Sequence, residues 1–129
     1  MRQALFGLVL AAMLPSQALA QQQEYLYYRE VKVPPFQKLH EFFDMPNRPG
    51  RYEVSLLSDS AGPLTFHILR VREEVEKTIV QRRSYHVGDH EFREIFANPD
   101  GADDLIVEIA NSNPATAARV SVYVVELGR

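Results

Sequence analysis

Cysteine is absent from all 129 residues. That excludes disulfide staples, on which many small exported domains rely, and it excludes lipid attachment through a cysteine. The chain must be held by packing, hydrogen bonds or oligomerisation. Long apolar runs are also scarce. The longest, residues 4–14, spans about half of the roughly 20 residues that a membrane-crossing helix needs, and no second run of that kind follows. A retained transmembrane anchor is not expected. Basic charge is thin as well. The formal net charge is -3, and Arg82-Arg83 is the densest basic pair. A nucleic-acid surface needs a basic footprint that neutralises phosphates, so that class of partner is excluded.

The apolar run belongs to an export leader. Met1-Arg2-Gln3 is a short positive start, Pro15 closes the run, and Ala18-Leu19-Ala20 places small residues where a signal peptidase requires them. Residues 1–20 read as a signal peptide and 21–129 as one domain, beginning near Gln21 in the periplasm or outside the cell. A domain of this size buries one core.

From Tyr25 onward the chain consists of short β-type segments punctuated by Pro, Gly, Asn and Asp. Residues 25–33 are rich in aromatic and β-branched side chains, with Tyr25, Tyr27, Val31 and Val33 at alternate positions, and Pro34-Pro35 stop the segment. Residues 36–45 carry both helical and alternating spacing. The flanking prolines leave little room for a helix, so a strand is expected. Tyr52, Val54 and Leu56 share one face of the next segment. Leu64, Phe66 and Ile68 share one face of the segment after it, opposed by His67, Leu69 and Val71, as suits a central strand. Residues 73–76 read as a connection and 77–83 as a strand. A loop around Gly88, a strand over 91–96, a turn at 98–101, a buried strand over 105–110 and a last strand over 119–127 complete the pattern. The fold class is all-β: a single-domain antiparallel β-sandwich, jelly-roll-like, of about eight strands.

Gly50-Arg51-Tyr52-Glu53-Val54, Leu64-Thr65-Phe66-His67-Ile68, residues 104–111 and the closing Val120-Ser121-Val122-Tyr123-Val124 together resemble small jelly-roll domains of the GOLD type and of the bacterial pre-peptidase C-terminal type. The resemblance covers roughly residues 37–127. It implies an interaction or accessory module and supplies no catalytic motif.

Three groups of residues could carry chemistry. Tyr25, Tyr27 and Tyr28 form an aromatic segment suited to carbohydrate stacking or protein contact. His86, Asp89 and His90 flank Gly88 and offer nitrogen and oxygen donors for zinc or copper if the loop bends them together. His67 and His40 are possible outside contributors. Asn98, Asp100, Asp103 and Asp104 surround Gly101, but their spacing departs from a calcium loop. A tight turn with side-chain-to-backbone hydrogen bonds explains them. Arg70, Arg72, Arg82 and Arg83 are expected to pair across strands with Glu73, Glu74 and Glu76. No nucleophile elbow, zinc-protease helix or Gly-rich phosphate loop is present.

The sequence thus describes a non-catalytic binding or accessory module of the cell envelope, contacting a protein or polysaccharide. The alternative is a periplasmic metal-binding protein using the His86/Asp89/His90 loop. Amino-terminal sequencing of the exported protein is expected to begin near Gln21, and an intact Met1 start would remove the leader.

Overall fold

The structure, a computed structural model, describes residues 25–128. The leader reading falls on residues 1–20, outside that range. Eight strands form, with no helix among the described residues: β1 (Tyr25–Val33), β2 (Lys38–Phe43), β3 (Gly50–Ser58), β4 (Leu64–Arg72), β5 (Val75–Ser84), β6 (His90–Asn98), β7 (Asp104–Asn111) and β8 (Ala118–Glu126). They make two antiparallel four-stranded sheets in the orders β1-β8-β3-β6 and β2-β7-β4-β5. Six of the seven connections cross from one sheet to the other, and only β4–β5 is a hairpin. This is the expected jelly-roll sandwich.

The two-residue alternation produces the core directly. Tyr52, Val54 and Leu56 from β3 are fully buried. They face Leu64, Phe66 and Ile68 from β4 and Leu105, Val107 and Ile109 from β7. Burial of each such side chain contributes about 1.5–3 kcal/mol, and cross-strand neighbours hold the register.

Three local expectations are corrected. The β4–β5 connection is two residues, not four. Glu73 and Glu74 both adopt positive φ, at 50° and 66°, as the tight turn of a twisted hairpin requires, so β5 starts at Val75. β6 runs from His90 to Asn98, longer than 91–96, because it pairs with the whole of β3. Tyr25 does not share a face with Tyr27. The β1–β8 register shifts between these two residues, and the extra residue of a bulge turns Tyr25 over to the other side.

The arginines also pair differently. Asp103, a buried carboxylate, accepts hydrogen bonds from Arg70 Nη1 and from Arg72 Nε, the latter at 2.6 Å. Arg72 Nη2 reaches both oxygens of Asp100 at 2.8 Å. Asn98 holds the turn by accepting from the Asp103 N–H at 3.2 Å and donating to its carbonyl at 3.0 Å. Asp104 accepts from the Met45 N–H at 2.8 Å. The carboxylates around Gly101 are thus engaged by guanidinium and backbone donors, the side-chain-bonded turn expected there. They tie the end of β4 to the β6–β7 crossing.

Burial, the largest single influence on Asp103, raises its pKa, but the hydrogen bonds from Arg72 and Arg70 outweigh it and hold the carboxyl below its ordinary value. A depressed folded pKa adds stability above the unfolded value of about 3.9, and that stability is lost as pH falls below it. Asp103→Asn is expected to cost about 2 kcal/mol at pH 7, with the difference from wild type closing in urea titrations as pH falls below about 4.

Candidate binding face

The outer face of the first sheet carries three clustered tyrosines. The bulge in β1 brings Tyr25 to the same side as Tyr28, and pairing of β1 with β8 sets Tyr123 between them. The Tyr123 ring lies 5.6 Å from that of Tyr25 and 4.9 Å from that of Tyr28, centroid to centroid, with interplanar angles of 46° and 42°. Tyr25 is 65% and Tyr28 54% exposed. The rings therefore form a stepped, twisted strip in contact with water, following the twist of the strands beneath.

Polar groups border the strip. Register places Ser55 and Arg93 in the row of Tyr28 and Tyr123, and Glu30, Ser121, Leu57 and Glu91 in the next row. Beside Tyr123 the surface dips into a cleft whose walls include Glu30, Asp59, Glu91 and Arg119. Of the sequence-predicted trio, Tyr27 stands apart: its ring packs against Phe43 of the core at 5.2 Å and its hydroxyl donates to the Asp44 carbonyl. Tyr123 was missed by sequence reasoning. Its outward place in β8 was visible in the alternation, but its neighbours were not, because they lie almost a full chain length away.

The histidine loop does not assemble the donor set considered for zinc or copper. His90 is buried, and both its ring nitrogens are occupied. The Ser60 carbonyl can only accept, so Nε2–H donates to it at 2.8 Å, and Nδ1 shares a hydrogen bond with the Ser84 hydroxyl at 2.6 Å. Gly62 makes room for this ring: its φ is +67°, and a Cβ there would come within 2.8 Å of His90 Cε1. His86 and Asp89 remain on the exposed loop. Among the described residues no group of three His, Asp or Glu side chains is arranged to hold a metal ion.

A second polar row crosses the outer face of the other sheet. Glu108 on β7 meets His67 Nδ1 on β4 at 3.1 Å and His40 Nε2 on β2 at 2.5 Å, and His67 Nε2 meets the Thr78 hydroxyl on β5 at 2.7 Å. The order hydroxyl, imidazole, carboxylate is that of a nucleophile relay. Here, however, the second carboxylate oxygen is engaged by His40. The row lines neither the cleft beside Tyr123 nor the one between β5 and β6. It acts as a side-chain ladder tying four strands together.

Fold and faces together define a jelly-roll β-sandwich with one aromatic face. In three dimensions the chain is similar to the Yersinia pseudotuberculosis-derived mitogen, with a TM-score of 0.58 and 14% identity over 83% of this chain and 89% of that one. It is also similar to PirA, with a TM-score of 0.56 and 17% identity over 81% and 98%, and to a chain of the cowpea mosaic virus top component, with 0.55 and 11% over 82% and 89%. At these identities the likeness concerns the fold. No protein-family model matches the chain, and no curated protein matches it in sequence.

His90→Ala is expected to destabilise the protein by about 2–3 kcal/mol, since it leaves a cavity and two unpaired polar partners. His86→Ala should stay within about 0.5 kcal/mol of wild type. Thermal or urea unfolding of the two variants checks the contrast.

Proposed function

We propose that the chain is a small exported, non-catalytic binding module of the cell envelope that takes a polysaccharide on the outer face of β1 and β8. The observation that carries this reading is the contact cluster of Tyr25, Tyr123 and Tyr28, two of them more than half exposed. Exposed tyrosines present an apolar ring that stacks on the C–H face of a sugar and a hydroxyl that stays wet. The bordering Glu30, Ser121 and Arg93 supply donors and acceptors for sugar hydroxyls. The tilt between the rings suits a single twisted glycan chain better than a flat crystalline surface. The resemblance of the sequence to GOLD-type and pre-peptidase C-terminal-type accessory domains points to the same class of role, and the leader read at residues 1–20 supplies the address.

A protein partner is the second reading, because β1 is an edge strand of its sheet and a partner strand could add to it. Affinity electrophoresis against a panel of soluble polysaccharides separates the two. Tyr28→Ala and Tyr123→Ala are each expected to weaken retention about tenfold with the fold intact. Tyr27→Ala should chiefly lower stability. Full retention by a folded double variant lacking Tyr28 and Tyr123 would refute the tyrosine site.

A further inference from the structure

The sandwich has two open seams, where β1 lies beside β2 and where β5 lies beside β6. An arginine covers the core at each. At the first, Arg29 Cζ sits 4.1 Å from the centre of the Phe43 ring and its charge is matched by Glu41 at 3.1 Å. At the second, Arg82 Cζ sits 5.1 Å from the centre of the Phe92 ring, which itself stacks on Phe66 at 5.8 Å. Its neighbour Arg83 lies 5.3 Å from the centre of the Tyr85 ring. Among the described residues, neither Arg82 nor Arg83 lies within ion-pair distance of a carboxylate. The partners expected from sequence, Glu73, Glu74 and Glu76, lie around the tight turn at the far end of the hairpin. Both arginines line one cleft, together with Ser84, Tyr85 and His86. The carboxylate in that cleft, Glu91, is paired with Arg93 at 2.9 Å.

From this contrast we infer that the β5–β6 seam is an anion site that receives the carboxylate of an acidic sugar, so that the glycan taken by this module is a uronate-containing one. The inference rests on the glycan reading above for the sugar, and on the seam alone for the charge. Arg82 and Arg83 follow one another in β5 and leave it on opposite sides; each guanidinium, held over its own ring at the cleft, is a pre-oriented donor, and a carboxylate matches the forked N–H geometry of either one. Tyr85, 72% exposed, offers a surface beside them on which the ring of the same sugar unit can stack.

Isothermal titration of the full mature chain with a uronic-acid oligomer and with its uncharged counterpart tests the inference. Wild type is expected to bind the acidic oligomer at least tenfold more tightly at low salt, with the preference shrinking as salt rises. The double variant Arg82→Gln, Arg83→Gln should lose that preference while keeping its thermal transition and its affinity for the neutral oligomer. Tyr28→Ala should weaken both ligands and keep the preference. Equal affinities in wild type, or a preference that survives in the double variant, would overturn the inference. A second probe is independent of the tyrosines: free glucuronate should shift the Arg82 and Arg83 Nε–H resonances, and glucose should not. If neither oligomer binds while glucuronate moves those signals, the glycan reading fails and the anion site stands. Unmoved signals overturn the site itself.

Discussion

The single apolar layer between the two sheets is the interaction on which everything else depends. With no cysteine in the chain, it is the alternate side chains of eight strands that bring residues distant in sequence together. Tyr52, Phe43, Phe66, Phe96, Leu56 and Leu64 are the largest groups sealed inside it. Because successive side chains point to opposite faces, every residue driven inward sends its neighbours outward. The tyrosine strip and the Glu108 row are consequences of core packing: they occupy the positions that the core rejects.

Where the layer reaches its edges, charged side chains close it. Arg29 with Glu41 does so on one side and Arg82 on the other, each laid over a core ring. At one end of the barrel-like stack, Arg70 and Arg72 converge on Asp103. These contacts share one logic: the stem of an arginine covers apolar surface while its head reaches a carboxylate or water. They differ in whether the carboxylate comes from the chain itself, and that difference separates a structural clasp from a surface able to receive a ligand.

Much of the fold was legible in the residues. The alternation at 52–56 and 64–68 placed both faces of β3 and β4, and the Pro and Gly clusters marked the turns. Local chemistry was less legible. Nothing in Glu73-Glu74 announces a two-residue turn, because glutamate rarely adopts positive φ and the pairing of β4 with β5 imposes it. The bulge that turns Tyr25 over is likewise a product of pairing with β8. Two of the three expected contact tyrosines do share a face, and the third, Tyr27, was claimed by Phe43. His90 looked like a ligand by spacing, yet its environment is built by Ser60, Gly62 and Ser84, none of which is adjacent to it in the chain.

By itself the sequence determined the strand content, the inward and outward faces of most strands, and the positions of the turns. These follow from side-chain period and backbone preference, which act over a few residues. Only the tertiary structure decided the crossing order of the sheets, the meeting of Tyr28 with Tyr123, the capture of Arg70 and Arg72 by Asp103, and the placing of every carboxylate among the described residues beyond ion-pair distance of Arg82 and Arg83. Each of these depends on which strands become neighbours. That choice is made by the collective packing of all eight strands around one core, a quantity that no local stretch of residues contains.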